Sequence, residues 1–402
     1  MMMRVPDAFA AVLAAARDFG TESVPFDAVA GRVLRERVTA DRAFPPFDRV
    51  TMDGIAIHFD SYQRGQRIFG LEDLAAAGMP QLQLANFADC IEVMTGAVLP
   101  EGTDSVVPYE HLEITEHEGF RRFNILKPVA AGQNIHRLGS DVPSGATLLE
   151  PGIVIGAAEA GVLATVGKTE VTVSRRPRVM LIATGNELVP VADTPEPHQI
   201  RMSNIFSLRA ALQQAGIEAE YLHLPDDTAH LREALGTLIA KTDVLVCTGA
   251  VSAGRFDHLP DVLLSLGAKK VFHAVQQRPG KPLLFCTFNN GPAVFGLPGN
   301  PVSGFMCCYR YVLPFLKTCM RQLPSPQEFA VLEEDVVFDK PLEYYLPVRL
   351  SMSPTGVLSA RPVPYHGSGD LASLLHADAF LALPAEQDTF PKGSSLAVWR
   401  FR

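Results

Sequence analysis

The sequence predicts a multidomain α/β protein with a central doubly wound α/β domain, a β-rich arm, a discontinuous helical/β domain and a small C-terminal β-barrel. Three observations carry that prediction. Over residues 177–320, short apolar runs at 178–183, 218–224, 243–247, 269–274, 283–286 and 292–295 alternate with helical patterns at 205–215, 228–240 and 259–266. That rhythm belongs to a sheet covered by helices on both faces, which takes its ligands outside the carboxyl ends of the strands. Residues 55–143 instead carry short alternating strands, such as 90–95, 105–108 and 123–127, separated by Gly, Pro and Asn. After Leu323-Pro324-Ser325-Pro326, strand patterns at 331–338, 344–352, 356–362, 379–384 and 395–401 follow, with a helical period only around 371–375.

In order along the chain, helical patterns at 8–19 and 26–38 open the sequence, and a helical pattern at 149–163 with strands at 146–149 and 169–174 rejoins them. The expected division is 1–41 plus 145–176 as a discontinuous N-terminal domain, 42–144 as the arm, 177–322 as the α/β domain and 327–402 as the barrel. At 402 residues the chain exceeds one core, so several domains are expected. Asp7, Arg17 and Asp18 interrupt the Ala-rich start, and the spacing of Phe9, Leu13 and Phe19 suits an amphipathic helix better than a secretory leader. No apolar run reaches the length of a membrane span. The six cysteines form no C-x-x-C pair, and those at 247, 286, 307 and 308 fall in apolar patterns, as buried thiols of a reducing compartment would. A cytoplasmic protein without a membrane partner is expected. The net charge of −9 also argues against nucleic acid, so an anionic substrate must be drawn in by local cations.

Such cations and donors gather in three loops. Residues 294–303, Val-Phe-Gly-Leu-Pro-Gly-Asn-Pro-Val-Ser, read as a strand end, a turn locked by Gly299, Asn300 and Pro301, and the start of a helix expected over 304–320, with Ser303 in its first turn. Backbone N–H groups and a helix dipole converge in such a turn on an anion. Arg278-Pro279-Gly280-Lys281-Pro282 adds two cations on a stiff frame, one of them able to grip an oxyanion bidentately. The segment 248–257, with Gly249, Ser252 and Asp257, follows the strand at 243–247. Glu187, Asp226, Asp227 and Asp257 also sit at strand ends of the same sheet. Their hard oxygens suit Mg²⁺ bridged to substrate phosphates. Asp226 and Asp227 equally suit the N-cap of the helix that follows. No Walker, dinucleotide-binding or nucleophile-elbow motif is present, which removes support for those nucleotide-hydrolysing, hydride-transferring and acyl-transferring classes. In the arm, Phe44-Pro45-Pro46-Phe47 leads to the tight turn Asp53-Gly54, and Thr95 and Asp141 lie in polar loops at strand ends.

Taken together, residues 47–56, 94–100, 132–141, 184–188, 249–257, 279–282 and 296–303 resemble, in order and over nearly the whole chain, the molybdopterin molybdenumtransferases, bacterial relatives of the gephyrin E domain. The resemblance implies an elongated homodimer of four-part subunits, each with a molybdopterin-binding α/β domain. It implies insertion of molybdate, or its near-isostere tungstate, into adenylylated molybdopterin with release of AMP, in the presence of Mg²⁺. It implies partners in a molybdopterin adenylyltransferase and molybdoenzyme maturation factors. Carried over by position, Glu187, Asp226 or Asp227, and Asp257 match the metal and adenylate carboxylates, Lys281 and Pro282 the molybdate contacts, and Arg349 and Ser368 the rest of an oxyanion pocket. Asp53, Thr95 and Asp141 match arm positions implied to reach the partner subunit's site. Three positions depart from the family's usual residues: Asn186 replaces an acid, Ala250 replaces the second glycine of a pair, and Arg278 replaces a lysine. An adenylyltransferase and a non-catalytic molybdopterin carrier or scaffold are the alternatives. The arm and barrel favour the molybdenumtransferase, because the adenylyltransferase needs only the middle domain.

Overall fold

The computed structural model describes residues 2–249, 251 and 258–402. They form two compact units, Met1–Glu36 with Pro151–Ala157 and Glu170–Arg402, and Arg37–Glu150 with Ala158–Thr169.

The first unit is built on the α/β domain. Its strands are β1 Val179–Thr184, β2 Ala219–Leu224, β3 Val244–Thr248, β4 Lys269–His273, β5 Leu284–Thr287 and β6 Ala293–Leu297. They lie in the order β2-β1-β3-β6-β5-β4. β2, β1, β3 and β6 pair in parallel, and β5 runs antiparallel to both its neighbours. Both faces are covered. Alternate residues of β1 enter opposite cores: Val179, Leu181 and Ala183 pack with α1 (Ser203–Gln214) and the helices after β6, while Met180 and Ile182 pack with α2 (Thr228–Ile239) and α3 (Leu259–Ser265). This two-sided burial is why the strands read as unbroken apolar runs. The helix expected at 304–320 begins earlier, at Pro301, and contains a π turn, Cys308–Val312, between Pro301–Cys307 and Leu313–Cys319. The N-terminal helix, Val5–Ala14, packs on the last of these segments.

Five strands close the C-terminal barrel: Glu343–Met352, Leu358–Pro362, Glu328–Leu332, Ser395–Arg400 and Ala379–Leu383, the last pairing back to the first. The expected strand at 331–338 is in fact two, Glu328–Leu332 and Val336–Val337. The short strand Gln277–Arg278 of the α/β domain adds in parallel to the start of Glu343–Met352.

The helical pattern at 26–38 is not a helix. Phe26–Ala28 makes one 3₁₀ turn, Gly31 takes φ +73°, and Val33 and Leu34 form bridges to Val154 and Val173. The pattern at 149–163 likewise shortens to a helix over Ala157–Thr165, after the turn at Pro151-Gly152. All six cysteines are free and buried, and burial pushes the Cys247 and Cys308 thiols up to about 12.

The second unit holds a six-stranded arm sheet. Gly54–Ile57 lies between Asp89–Val93 and Ser105–Pro108, with Ile68–Ala75, Phe120–Ile125 and Leu112–His117 continuing from Asp89–Val93. Within it, buried Glu92 accepts from the Tyr109 hydroxyl at 2.5 Å and from both Arg121 terminal nitrogens at 2.6 and 2.9 Å. No helix among the described residues is long and apolar enough to cross a membrane.

Candidate active site

At the carboxyl ends of β1, β3 and β6 the backbone is cross-tied. The Thr184 hydroxyl donates to the Thr248 carbonyl at 3.1 Å, and the Gly249 N–H donates to the Leu297 carbonyl at 3.1 Å. Gly249 takes φ +90°, and a Cβ there would lie 2.7 Å from the Thr184 carbonyl oxygen, so only glycine lets the two strand ends come this close. Gly185, at φ +146°, lies beneath the Glu187 carboxylate, and a Cβ would sit 2.6 Å from Glu187 Oε2. These ends surround a cleft of about 520 Å³.

Of the residues singled out in the sequence, Glu187, Asp226, Gly249, Pro282, Gly299, Asn300 and Pro301 line this cleft. The 298–301 turn is held from two sides. The Asn204 side chain donates to the Gly299 carbonyl at 2.7 Å, and Asn300 Nδ2 donates to the Ser368 hydroxyl at 2.7 Å, while the Val302 N–H donates to the Ser368 carbonyl at 3.1 Å. Ser368, from the barrel segment, therefore supports the turn from behind. Two helices begin on the cleft wall, α1 at Ser203 and the helix at Pro301, and both turn their positive dipole ends toward it.

Lys281 precedes wall residue Pro282, is exposed, and finds no partner for its ammonium among the described residues. Arg278 is engaged elsewhere. Its guanidinium lies 5.6 Å from the Tyr344 ring and 5.7 Å from the Phe338 ring, which stack on each other at 4.5 Å, and it is not part of the cleft wall. Ser303 is buried inside its helix, 3% exposed, and Arg349 is an exposed barrel residue in register with Arg361. Neither lines the cleft.

The two consecutive aspartates do different work. Asp226 lines the cleft, and its N–H donates to the Asn186 side-chain oxygen at 3.2 Å. Asn186 thus supplies an acceptor that a carboxylate would also offer. Asp227 caps α2. Its Oδ1 accepts from the His230 N–H at 2.9 Å and lies 2.7 Å from His230 Nδ1, and these contacts, the backbone bond first, hold its carboxyl below the ordinary range. Among the described residues no three His, Cys, Asp or Glu side chains gather as a metal cage. Two carboxylates on one wall nevertheless fit Mg²⁺, which usually takes one or two protein carboxylates and completes its shell with water and substrate phosphate. Ser252 and Asp257, with Ala250, lie outside the described residues.

In the arm unit, Asp53 Oδ1 accepts from the Thr95 N–H at 2.6 Å and the Thr95 hydroxyl at 2.7 Å, and these bonds lower its pKa. Asp141 Oδ1 lies 2.7 Å from His136 Nε2, and His136 Nδ1 lies 3.0 Å from Arg49 Nη2. Because the guanidinium can only donate, His136 accepts at Nδ1 and donates from Nε2 to Asp141. Sequence reading missed His136 in this triad, and it missed Arg201, Ser203 and Asn204 on the cleft wall. The Ile200–Arg201 strand running into a helix start at Ser203 was the available signal.

Comparison with known proteins covers the chain in three parts. Residues 3–167 match the model of the MoeA N-terminal region (domain I and II), 180–318 that of a probable molybdopterin binding domain, and 330–401 that of the MoeA C-terminal region (domain IV). The chain is 38% identical to a molybdopterin molybdenumtransferase from Synechocystis over 94% of both chains. It is 33% identical to one from Bacillus subtilis over 95% of this chain and 90% of that one. The fold is similar to the molybdopterin biosynthesis MoeA protein from Pyrococcus horikosii, with TM-score 0.84, 27% identity and full coverage of both chains.

Proposed function

The chain belongs to the molybdopterin molybdenumtransferase family, and we propose that it inserts molybdate into adenylylated molybdopterin, releasing AMP and forming molybdenum cofactor. The observation that supports this most is the pairing, on one cleft, of two carboxylates with a turn that offers the Gly299 and Asn300 N–H groups and a loop whose lysine is unpaired among the described residues. The substrate is a phosphoanhydride and the second reactant a dianion, so one site must neutralise charge on both. Glu187 and Asp226 would hold Mg²⁺, which would supply charge neutralisation at the substrate phosphates. The 298–301 turn and the two helix starts supply donors to phosphate oxygens, and Lys281, with the backbone beside Pro282, receives the oxyanion. The walls keep these groups in fixed positions, so little reorganisation is needed as charge moves onto the departing AMP. Glu187→Gln and Asp226→Asn are each expected to raise the Mg²⁺ concentration for half-maximal AMP release at least about tenfold. An unchanged Mg²⁺ requirement in both would remove the metal from this wall.

The same reading extends to the division 1–41 with 145–176, 42–144, 177–322 and 327–402, to a homodimer, and to work in the reducing cytoplasm, where six free thiols persist. It includes supply of the adenylylated substrate by an adenylyltransferase and delivery of the product to molybdoenzyme maturation factors. In this dimer Asp53, Thr95 and Asp141 of one subunit serve the cleft of the other. Asp53→Ala and Lys281→Ala proteins, each inactive alone, should then regain about a quarter of wild-type activity when their subunits are mixed at random, because half the dimers each hold one intact site. Absence of recovery in a population shown to contain heterodimers would contradict a shared site.

A further inference from the structure

We propose that Gln277, through Tyr311, is a positioning residue that sets the Lys281 loop for its oxyanion. The assignment rests on the reading that Lys281 receives that oxyanion. Gln277 is 0% exposed, and a fully buried amide must find partners at both its ends. It has them. The Tyr311 hydroxyl donates to Gln277 Oε1 at 2.5 Å, and Gln277 Nε2 donates to the Gly280 carbonyl at 2.9 Å. The hydroxyl fixes which way the amide faces, and the amide then fixes the peptide plane joining Gly280 to Lys281. The next plane is fixed as well, because the Lys281 carbonyl accepts from the Val275 and Leu283 N–H groups, each at 2.9 Å. Both peptide planes flanking Lys281 are thereby anchored while its side chain stays exposed and unpaired among the described residues.

Tyr311, also 0% exposed, sits on the π turn Cys308–Val312, and such turns recur at functional sites. That turn continues the helix that starts at Pro301 on the cleft wall, so one helix ties the 298–301 turn to the Lys281 loop. Only an amide suits position 277. Ionised glutamate would present acceptors to the Gly280 carbonyl, and methionine would fill the space but leave both partners unmet.

Gln277→Met and the milder Tyr311→Phe test this by two readouts. Amide hydrogen exchange at Val275 and Leu283 should quicken about tenfold in Gln277→Met and less in Tyr311→Phe, with Val246 in the central sheet unchanged. The molybdate concentration for half-maximal AMP release should rise about tenfold, with affinity for adenylylated molybdopterin and the maximal rate within about twofold. Unchanged exchange at Val275 and Leu283, or equal acceleration at Val246, would overturn the positioning role. Faster exchange with an unaltered molybdate response would overturn its link to the oxyanion. A wild-type protein indifferent to molybdate would instead sink the reading of Lys281, while the exchange data still decide whether Gln277 holds the loop.

Discussion

Replacing Lys281 with alanine is expected to lower kcat/KM for molybdate about 10²–10³-fold, the usual loss when a preorganised donor to an oxyanion is removed. The ammonium has no partner among the described residues, so none of them takes up its charge. Its loop is anchored at the Gly280 and Lys281 carbonyls and flanked by Pro279 and Pro282, so the lysine arrives at the cleft margin with little backbone freedom left to lose. Removing an exposed side chain with no partner among the described residues costs the fold little, and the melting temperature should stay within a few degrees. In the proposed function, binding of adenylylated molybdopterin is assigned to other groups, Glu187, Asp226 and the 298–301 turn, and should change by less than about threefold. Lys281→Arg should recover only part of the rate, because a planar fork does not reproduce a compact point charge. Steady-state rates against molybdate measure all of this, and an unchanged molybdate dependence in Lys281→Ala would refute the role.

Gly249→Ala is expected to damage both stability and binding. A side chain at φ +90° carries about 1–3 kcal/mol of backbone strain. The new Cβ would also press on the Thr184 carbonyl at 2.7 Å and hydroxyl at 2.8 Å, neither of which is the free end of a flexible chain. Relief requires the ends of β1 and β3 to part, which threatens the Gly249 bond to the Leu297 carbonyl, worth about 1 kcal/mol. A loss of about 2–4 kcal/mol in denaturant unfolding is expected from these contributions. Because Thr184 and Gly249 are both wall residues, affinity for adenylylated molybdopterin should fall at least about tenfold. A variant within about 0.5 kcal/mol of wild type, with normal affinity, would show that the cleft does not depend on this close approach.

The parts of the fold that were legible in the sequence are those where one physical signal dominates. The central strands are buried on both faces, so Leu181 and Ile182 are both apolar although they enter different cores. The cleft loops were legible for a related reason, since glycines and prolines at strand ends mark where the backbone must turn sharply. Residues 26–38 misled because Val29, Val33, Leu34 and Val38 fall at helical spacing, yet Val33 and Leu34 are buried in bridges and Val38 in a short strand paired with Leu149, none of which local periodicity records. Asp226 and Asp227 could not be separated because both precede α2 at capping distance, and only the fold shows that the second caps and the first faces the cleft. Arg278 read as a phosphate-gripping cation, but its aromatic partners, Phe338 and Tyr344, lie some sixty residues away in the chain and were invisible locally. Gln277 and Asn204 gave no signal either, because a lone amide in an apolar or helical stretch looks like a surface residue until its partners are seen.

One cleft is proposed to join adenylate cleavage to molybdate use. AMP released from purified protein given adenylylated molybdopterin and Mg²⁺, measured with and without molybdate, tests it most directly. Release that depends on molybdate and saturates with it is the expected result. Tight binding of the adenylate with no AMP at any molybdate concentration would contradict the account and make the protein a carrier.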